Sequence, residues 1–323
     1  MKEFVVISGK GGTGKTSIAA SFVALSGHVV MADCDVDAAD LHILLSPKIK
    51  HKETFIGGGL ATIDPDLCTG CGDCEKLCRF DAISPMKVAV DGKGAIDSGV
   101  GTGGSAGGGE GIARKEEKLI YFVDKFACDG CGVCAYFCPA NAIAFEEQEN
   151  GEWYISETRF GPMVHAKLHA GAENSGKLVT IVKNEARKVA DVEDIGMVIV
   201  DGSPGIGCPV ISSVTGADLV LVVTEPTKSG VHDLERVLEL TRFFNVKTMV
   251  TVNRFDINEE ITERIEEKAR ENGAVLAGRI HYDPAVVEAQ IEKKTVVEYS
   301  DGTASQDIKG IWDFVKYQME EEE

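Results

Sequence analysis

Gly9-Lys10-Gly11-Gly12-Thr13-Gly14-Lys15-Thr16, close to the N-terminus, fits the phosphate-binding loop G-x4-G-K-[ST]. The residues before it, Glu3 to Ser8, are a short β-branched run ending at Ser-Gly and read as a buried strand. Thr16 to Leu25 reads as a helix. A loop between a strand and a helix start turns successive backbone N–H groups onto an anion. The pattern places Gly11, Gly12, Thr13, Gly14, Lys15, Thr16 and Ser17 around the phosphates of a nucleotide. Lys15 is expected to reach the β- and γ-phosphates, and the Thr16 hydroxyl to ligate Mg2+.

Outward from the loop, His28 to Ala32 reads as a second strand that ends at Asp33-Cys34-Asp35. Further strands are expected at Trp153–Arg159, Met163–His169, Met197–Val200, Leu219–Thr224, Thr248–Asn253 and Val275–Ile280. Helices are expected at Leu178–Ala190, Val231–Phe244, Asn258–Glu271 and Pro284–Glu292. This alternation predicts an α/β fold: a mostly parallel sheet with helices on both faces. Between about Leu60 and Gln148 the helical periodicity fades, and cysteine and aspartate become frequent. Residues 60–148 are therefore expected to form an inserted small domain, and 1–59 with 149–323 a discontinuous host domain. Within the insertion, 98–111 is glycine-rich and expected to be a flexible loop.

The insertion holds two matching cysteine runs. Cys68, Cys71, Cys74 and Cys78 form one; Cys128, Cys131, Cys134 and Cys138, followed by Pro139, form the other. Both have the C-x2-C-x2-C-x3-C rhythm of bacterial two-cluster ferredoxins. The likeness extends downstream, where Arg79-Phe80-Asp81-Ala82-Ile83 matches Pro139-Ala140-Asn141-Ala142-Ile143. Zinc is the alternative for paired C-x2-C motifs, but triple spacing with a trailing fourth cysteine is not the usual zinc pattern. In such ferredoxins the fourth cysteine of each run serves the other cluster. The resemblance thus assigns Cys68, Cys71, Cys74 and Cys138 to one [4Fe-4S] cluster, and Cys128, Cys131, Cys134 and Cys78 to the second. Arg79 stands where the usual proline would be. Four thiolates per cluster leave no open iron site, which favours electron transfer over substrate activation.

The 323 residues carry a formal charge of −19, which argues against nucleic-acid binding. No apolar run approaches the ~18 residues of a membrane span. The N-terminus lacks a signal-peptide pattern, so a cytoplasmic location is expected.

Taken together, the phosphate loop with its second lysine, Lys10, resembles the MinD/Mrp/ParA superfamily of deviant phosphate-loop ATPases. That superfamily includes the nitrogenase iron protein. The resemblance implies that ATP joins two subunits, as a homodimer or with a paralogue, and that Lys10 acts across the interface. It makes Asp35 the residue that orients the attacking water, and puts Asp33 and Asp201 near Mg2+. Asn253 and Arg254 look like the adenine-reading positions, and Asp283-Pro284 like the loop beside the base. The ferredoxin insertion is similar to that of a MinD-type subgroup, as are Asn174-Ser175-Gly176-Lys177-Leu178-Val179 and Asp201-Gly202-Ser203-Pro204-Gly205-Ile206-Gly207-Cys208-Pro209. MinD itself ends in a basic lipid-binding helix, whereas this chain ends in Glu320-Glu321-Glu322-Glu323, so no membrane anchoring is expected.

The leading expectation is an ATP-hydrolysing switch coupled to electron transfer with a redox partner protein. A cluster-assembly scaffold and a positioning ATPase with structural or sensory clusters are the alternatives. Cys34 and Cys208 are left over, each expected to be a small buried packing residue; for Cys208, seven residues after Asp201, the alternative is a redox or cluster-bridging thiol at the dimer interface. His165 and His169 are spaced i, i+4 but in a strand or loop context, so no metal site is expected there.

Overall fold

The computed structural model describes residues 1–90, 116–169 and 175–320. The glycine-rich loop expected at 98–111 lies outside the described residues, as do Asn174 and the last three glutamates. In chain order the host begins with β1 (Lys2–Ser8), α1 (Lys15–Ser26), β2 (Val30–Asp33), α2 (Leu41–Leu45) and β3 (Lys48–Ile63). Next come α3 (Asp73–Leu77), β4 (Ile83–Val90), β5 (Glu116–Val123), α4 (Val133–Tyr136), β6 (Ile143–Thr158) and β7 (Gly161–Leu168). The series continues through α5 (Ser175–Val192), β8 (Met197–Pro204), α6 (Cys208–Val214), β9 (Leu219–Thr224) and α7 (Lys228–Phe243). It closes with β10 (Lys247–Asn253), α8 (Glu259–Glu271), β11 (Val275–Ile280), α9 (Ala285–Ile291), α10 (Val296–Tyr299) and α11 (Thr303–Glu320).

The described chain divides into two compact units, Met1–Phe55 with Gly151–Glu323, and Ile56–Asn150. The divisions fall inside β3 and β6.

In the larger unit the sheet order is β11-β10-β9-β1-β8-β2-β7-β6-β3. Strands β11 to β7 pair in parallel, and β6 runs antiparallel to β7. β1 and β9 are apolar almost throughout because both faces of a parallel sheet are covered. Alternate residues serve alternate cores. Val5 and Ile7 pack with Val198, Val200 and helices α5 and α7. Phe4 and Val6 pack with Ile199, α1 and α11. On that second face Phe22 stacks on Trp312 at 5.1 Å, and Phe4 lies 5.8 Å from Phe22. The strand order reverses around β1, whose neighbours are β8 and β9, and ligands of open α/β sheets bind at such points.

α6 is fixed from below by Lys183 of α5. This buried ammonium donates to the carbonyls of Ser213 at 2.5 Å and Thr215 at 2.9 Å, and pairs with Glu3 at 2.8 Å. A cation at a helix C-terminus satisfies otherwise orphaned carbonyls.

The smaller unit is a pseudo-twofold repeat. Asp64 and Asp124 each open a turn, their carboxylates accepting from the backbone of Asp66 and Phe126. Their own N–H groups donate to Ala142 and Ala82 at 2.8 Å, each crossing to the other half. Asp81 and Asn141 hold matched left-handed conformations, at φ 51° and 49°. β4 pairs antiparallel with β5, Ile83 opposite Val123.

Replacing Trp312 by alanine is expected to cost about 3–5 kcal/mol, the usual loss for a buried aromatic. Urea unfolding followed by circular dichroism checks this; a loss below about 1 kcal/mol would show that α11 does not complete this core.

Candidate functional site

The larger unit holds a cavity of about 440 Å³ at the C-terminal ends of its central strands. Its floor is the phosphate loop, Gly11 to Ser17, and its walls include Asp35, Pro204, Asn253, Arg254 and Asp283. Gly14 stands at the start of α1 with φ 88°, and a Cβ there would lie 2.4 Å from the Asn253 amide nitrogen. That position therefore admits only glycine. The same amide nitrogen donates to the Thr13 carbonyl at 2.7 Å, so Asn253 ties β10 to the loop. Ser17 accepts from Gln290 of α9 at 2.7 Å.

Lys15 is buried, with its ammonium 2.6 Å from Asp201 and 3.4 Å from Asp35. Register does this: Asp33 at the end of β2 lies directly beside Asp201 of β8. One ammonium thus faces three carboxylates. Burial pulls the Lys15 pKa down, but Asp201 and then Asp35 outweigh it and hold it above the ordinary lysine value. Burial, then Asp201, pushes Asp33 well above the ordinary carboxyl range, with Lys15 opposing. Burial likewise raises Asp35, again against Lys15. Thr13 Oγ1, Asp33 Oδ2 and Asp201 Oδ2 are buried without hydrogen-bond partners. Buried acceptors left over beside a single lysine are the donor set a hard divalent cation takes. The residues present fit Mg2+ and a phosphate chain.

Lys10 is held away from these carboxylates. Its ammonium pairs with Glu225 at 2.5 Å and donates to Thr227 and Ser229 at 3.1 Å. Arg254, at φ 55°, also approaches Glu225, at 3.6 Å. Sequence reasoning missed Glu225. It directly follows β9, and no motif marks it.

In the smaller unit the cysteines surround two separate cavities. One is lined by Cys68, Cys71, Cys74 and Cys138. The other is lined by Cys78, Cys128, Cys131 and Cys134. Each gathers three thiols of one run and the fourth of the other. Among the described residues no group of three or more His, Cys, Asp or Glu converges as a single-ion site. A [4Fe-4S] cubane takes four cysteine thiolates, the number that lines each cavity. The donor set fits iron–sulfur clusters. A Cβ on Gly130, at φ 66°, would lie 2.4 Å from the Gly59 carbonyl oxygen, so this cysteine loop passes flush against β3. The Ala142 N–H points at the Cys138 sulfur at 3.3 Å. Burial pushes the Cys74 thiol up to about 11, so its thiolate requires a compensating metal charge.

Cys34 is buried, as expected, but Cys208 is exposed at the first position of α6. The expectation of a packing role for Cys208 is therefore corrected. The turn of Gly205 to Gly207 lifts it from the core, and Val210 and Val214 fill the core in its place. His165 lies in β7 and hydrogen-bonds Ser156 at 2.8 Å. Burial, then the nearby His42, pulls its pKa down to about 4.

The sequence matches the CobQ/CobB/MinD/ParA nucleotide binding domain over residues 4–296. The chain belongs to this family. An uncharacterised protein of Methanocaldococcus jannaschii is 34% identical over 260 residues, covering 79% of each chain. Ferredoxin-3 of Nostoc sp. is 28% identical over 89 residues, which is 28% of this chain and 79% of that one. Among solved structures, the septum site-determining protein MinD of Pyrococcus horikoshii, complexed with Mg-ADP, superposes with a TM-score of 0.55 at 15% identity. That superposition covers 98% of this chain and 96% of the other, and it bears on the fold alone. The chain therefore joins the phosphate-loop fold of this family to a segment similar to iron–sulfur ferredoxins. Among the described residues no helix is long and apolar enough to cross a membrane.

The raised Asp33 pKa has a measurable sign. A carboxyl whose folded pKa exceeds its unfolded value loses native stability as pH rises between the two. Without Mg2+ or nucleotide, Asp33→Asn is expected to melt above wild type at pH 8, and the gap to close toward pH 4, as about one buried charge is removed. Thermal unfolding across that range checks this; a gap that does not change with pH would be inconsistent with Asp33 as the strained carboxylate.

Proposed function

We propose that this chain is an ATP-binding and ATP-hydrolysing iron–sulfur protein that couples an ATP-dependent dimerisation switch to electron transfer through two [4Fe-4S] clusters. The observation that carries this reading is the grouping of the cysteines, three from one run with the fourth of the other, in a chain that also holds a complete phosphate-loop cavity.

In the nucleotide cavity the loop N–H groups and Lys15 bind the phosphates. Thr16, Asp33 and Asp201 would hold Mg2+, which supplies neutralising charge to the β- and γ-phosphates. Lys15 gives up Asp201 for the phosphate oxygens, which frees that carboxylate to face the metal. Asp35 orients the attacking water. Asn253 keeps the loop in shape through Thr13, and Arg254 flanks the base. Lys10, held by Glu225 in the single subunit, exchanges that carboxylate for the phosphates bound by a second copy or a paralogue.

In the smaller unit Cys68, Cys71, Cys74 and Cys138 would hold one cluster, and Cys128, Cys131, Cys134 and Cys78 the other. Clusters so held supply one-electron redox chemistry. The chain's own part is to deliver thiolates, keep water from Cys68, Cys74 and Cys134, and aim backbone N–H groups at sulfur. With every cluster iron capped by cysteine, electron exchange with a redox partner protein is favoured over handing the cluster to another protein. The charge of −19 supports a cytoplasmic protein that does not bind nucleic acid or an anionic membrane.

Anaerobically purified protein is expected to contain iron and acid-labile sulfide, and no zinc. Its electron-exchange rate is expected to differ between ATP and ADP, and Lys15→Ala is expected to lower ATP turnover by about 10²–10³-fold and to erase that difference. Equal rates with ATP, ADP and the Lys15→Ala variant would refute the coupling. Quantitative transfer of the iron to an apo-protein would favour an assembly scaffold instead.

A further inference from the structure

The phosphate loop carries two lysines, and the structure sends them in different directions. Lys15 turns inward to Asp201 and Asp35. Lys10 turns to the connection between β9 and α7. There its ammonium meets Glu225 at 2.5 Å and the hydroxyls of Thr227 and Ser229 at 3.1 Å each. The described residues that line the nucleotide cavity include Gly11 but not Lys10.

Both ends of this contact are fixed. Ser8 donates to the Lys10 carbonyl at 2.8 Å, which sets the backbone from which the side chain departs. Gly9 packs so closely on α7 that a Cβ there would lie 2.6 Å from the Asp233 Cβ. On the other side Thr227 caps α7, accepting from the Gly230 N–H at 3.0 Å. Charge makes the contact consequential. Lys10 starts one residue from a cavity wall, on a flexible four-carbon stem. Phosphates bound in that cavity would attract it. They already have Lys15 and the loop N–H groups, so a carboxylate and two hydroxyls standing in place hold the lysine against them. The side chain stays partly exposed, at 28%, and so open to phosphates presented by a second subunit. The other Glu225 oxygen lies 3.6 Å from Arg254. When Lys10 leaves, Glu225 therefore keeps a cationic neighbour, and no carboxylate is stranded.

We propose that Glu225 is a positioning residue that keeps Lys10 off the phosphates of its own subunit and so reserves it for those of a partner. The inference rests on the reading of Lys10 given above and deepens it, by naming the residue that decides which nucleotide the lysine serves. No covalent bond is made or broken. What changes is the acceptor of one ammonium group.

The test uses the full chain, anaerobically purified, with ATPγS and Mg2+. Calorimetry measures nucleotide binding at protein concentrations where sedimentation shows single subunits. Glu225→Gln is expected to bind ATPγS about fivefold or more tightly, because the released lysine gains a charge-assisted contact with phosphate. In a Lys10→Ala background the same Glu225→Gln change is expected to alter the affinity by less than about twofold, the effect of one screened charge. That comparison separates aiming the lysine from merely removing a negative charge. At higher protein concentration Glu225→Gln is expected to weaken nucleotide-dependent dimerisation about fivefold or more, since much of the population has its lysine engaged within the subunit. An affinity unchanged in Glu225→Gln, or a gain that persists without Lys10, overturns the proposal. Tighter dimerisation of Glu225→Gln also overturns it, and makes Glu225 a brake on dimerisation instead. Should Glu225→Gln fail to fold, Ser229→Ala, an exposed position, is measured against the same criteria, with changes of about twofold expected. A wild-type chain that binds ATPγS but stays single at every concentration refutes the dimer reading above. The calorimetric comparison, made on single subunits, still decides whether Glu225 restrains the lysine.

Discussion

One ammonium surrounded by three carboxylates organises the nucleotide end of this molecule. Lys15 is brought by the loop between β1 and α1, Asp33 and Asp35 by the end of β2, and Asp201 by the end of β8. Parallel pairing sets all of them at one edge of the sheet, because strands in register end together. Burying three acids on one base is unfavourable unless more positive charge arrives. The raised Asp33 pKa is the local expression of that deficit. A divalent cation held by Asp33 and Asp201 would correct the deficit, and a phosphate chain would balance that cation.

What the sequence revealed, and what it hid, divides along the range of the interactions involved. The phosphate loop and both cysteine runs were legible because their chemistry demands fixed local spacing. The central strands were legible as well, since burial on both faces leaves continuous apolar runs such as Leu219–Thr224. β3 was not. Its outer part, Lys48-Ile49-Lys50-His51-Lys52-Glu53-Thr54, is an exposed edge and carries no apolar alternation. α11 could have been read, for Ile308, Ile311, Trp312 and Val315 repeat at helical spacing and all are buried. Glu225 was beyond reach. Only the tertiary fold carries the end of β9 to Lys10. The exposure of Cys208 was equally hidden, because it depends on how the Gly205–Gly207 turn meets α6 rather than on the residues themselves.

The small unit shows how duplication separates scaffold from specialisation. Positions that shape the backbone stayed alike in the two halves: the glycines at 70, 72, 130 and 132, the left-handed Asp81 and Asn141, and the crossed hydrogen bonds of Asp64 and Asp124. Positions that meet solvent diverged: Asp73, Glu75 and Lys76 on α3 match Val133, Ala135 and Tyr136 on α4. A symmetric framework with unlike faces gives two similar cysteine sites distinct surroundings.

The strand order also dictates a sequence of events at birth. β1 leaves the ribosome first, yet both of its neighbours, β8 and β9, begin only at Met197 and Leu219. Until then the nascent phosphate loop has no sheet to stand on, and long-range pairing of this kind is slow. All eight cysteines of the small unit have emerged by Cys138. The small unit, which ends at Asn150, is therefore entirely translated before the strands that its host needs at its centre.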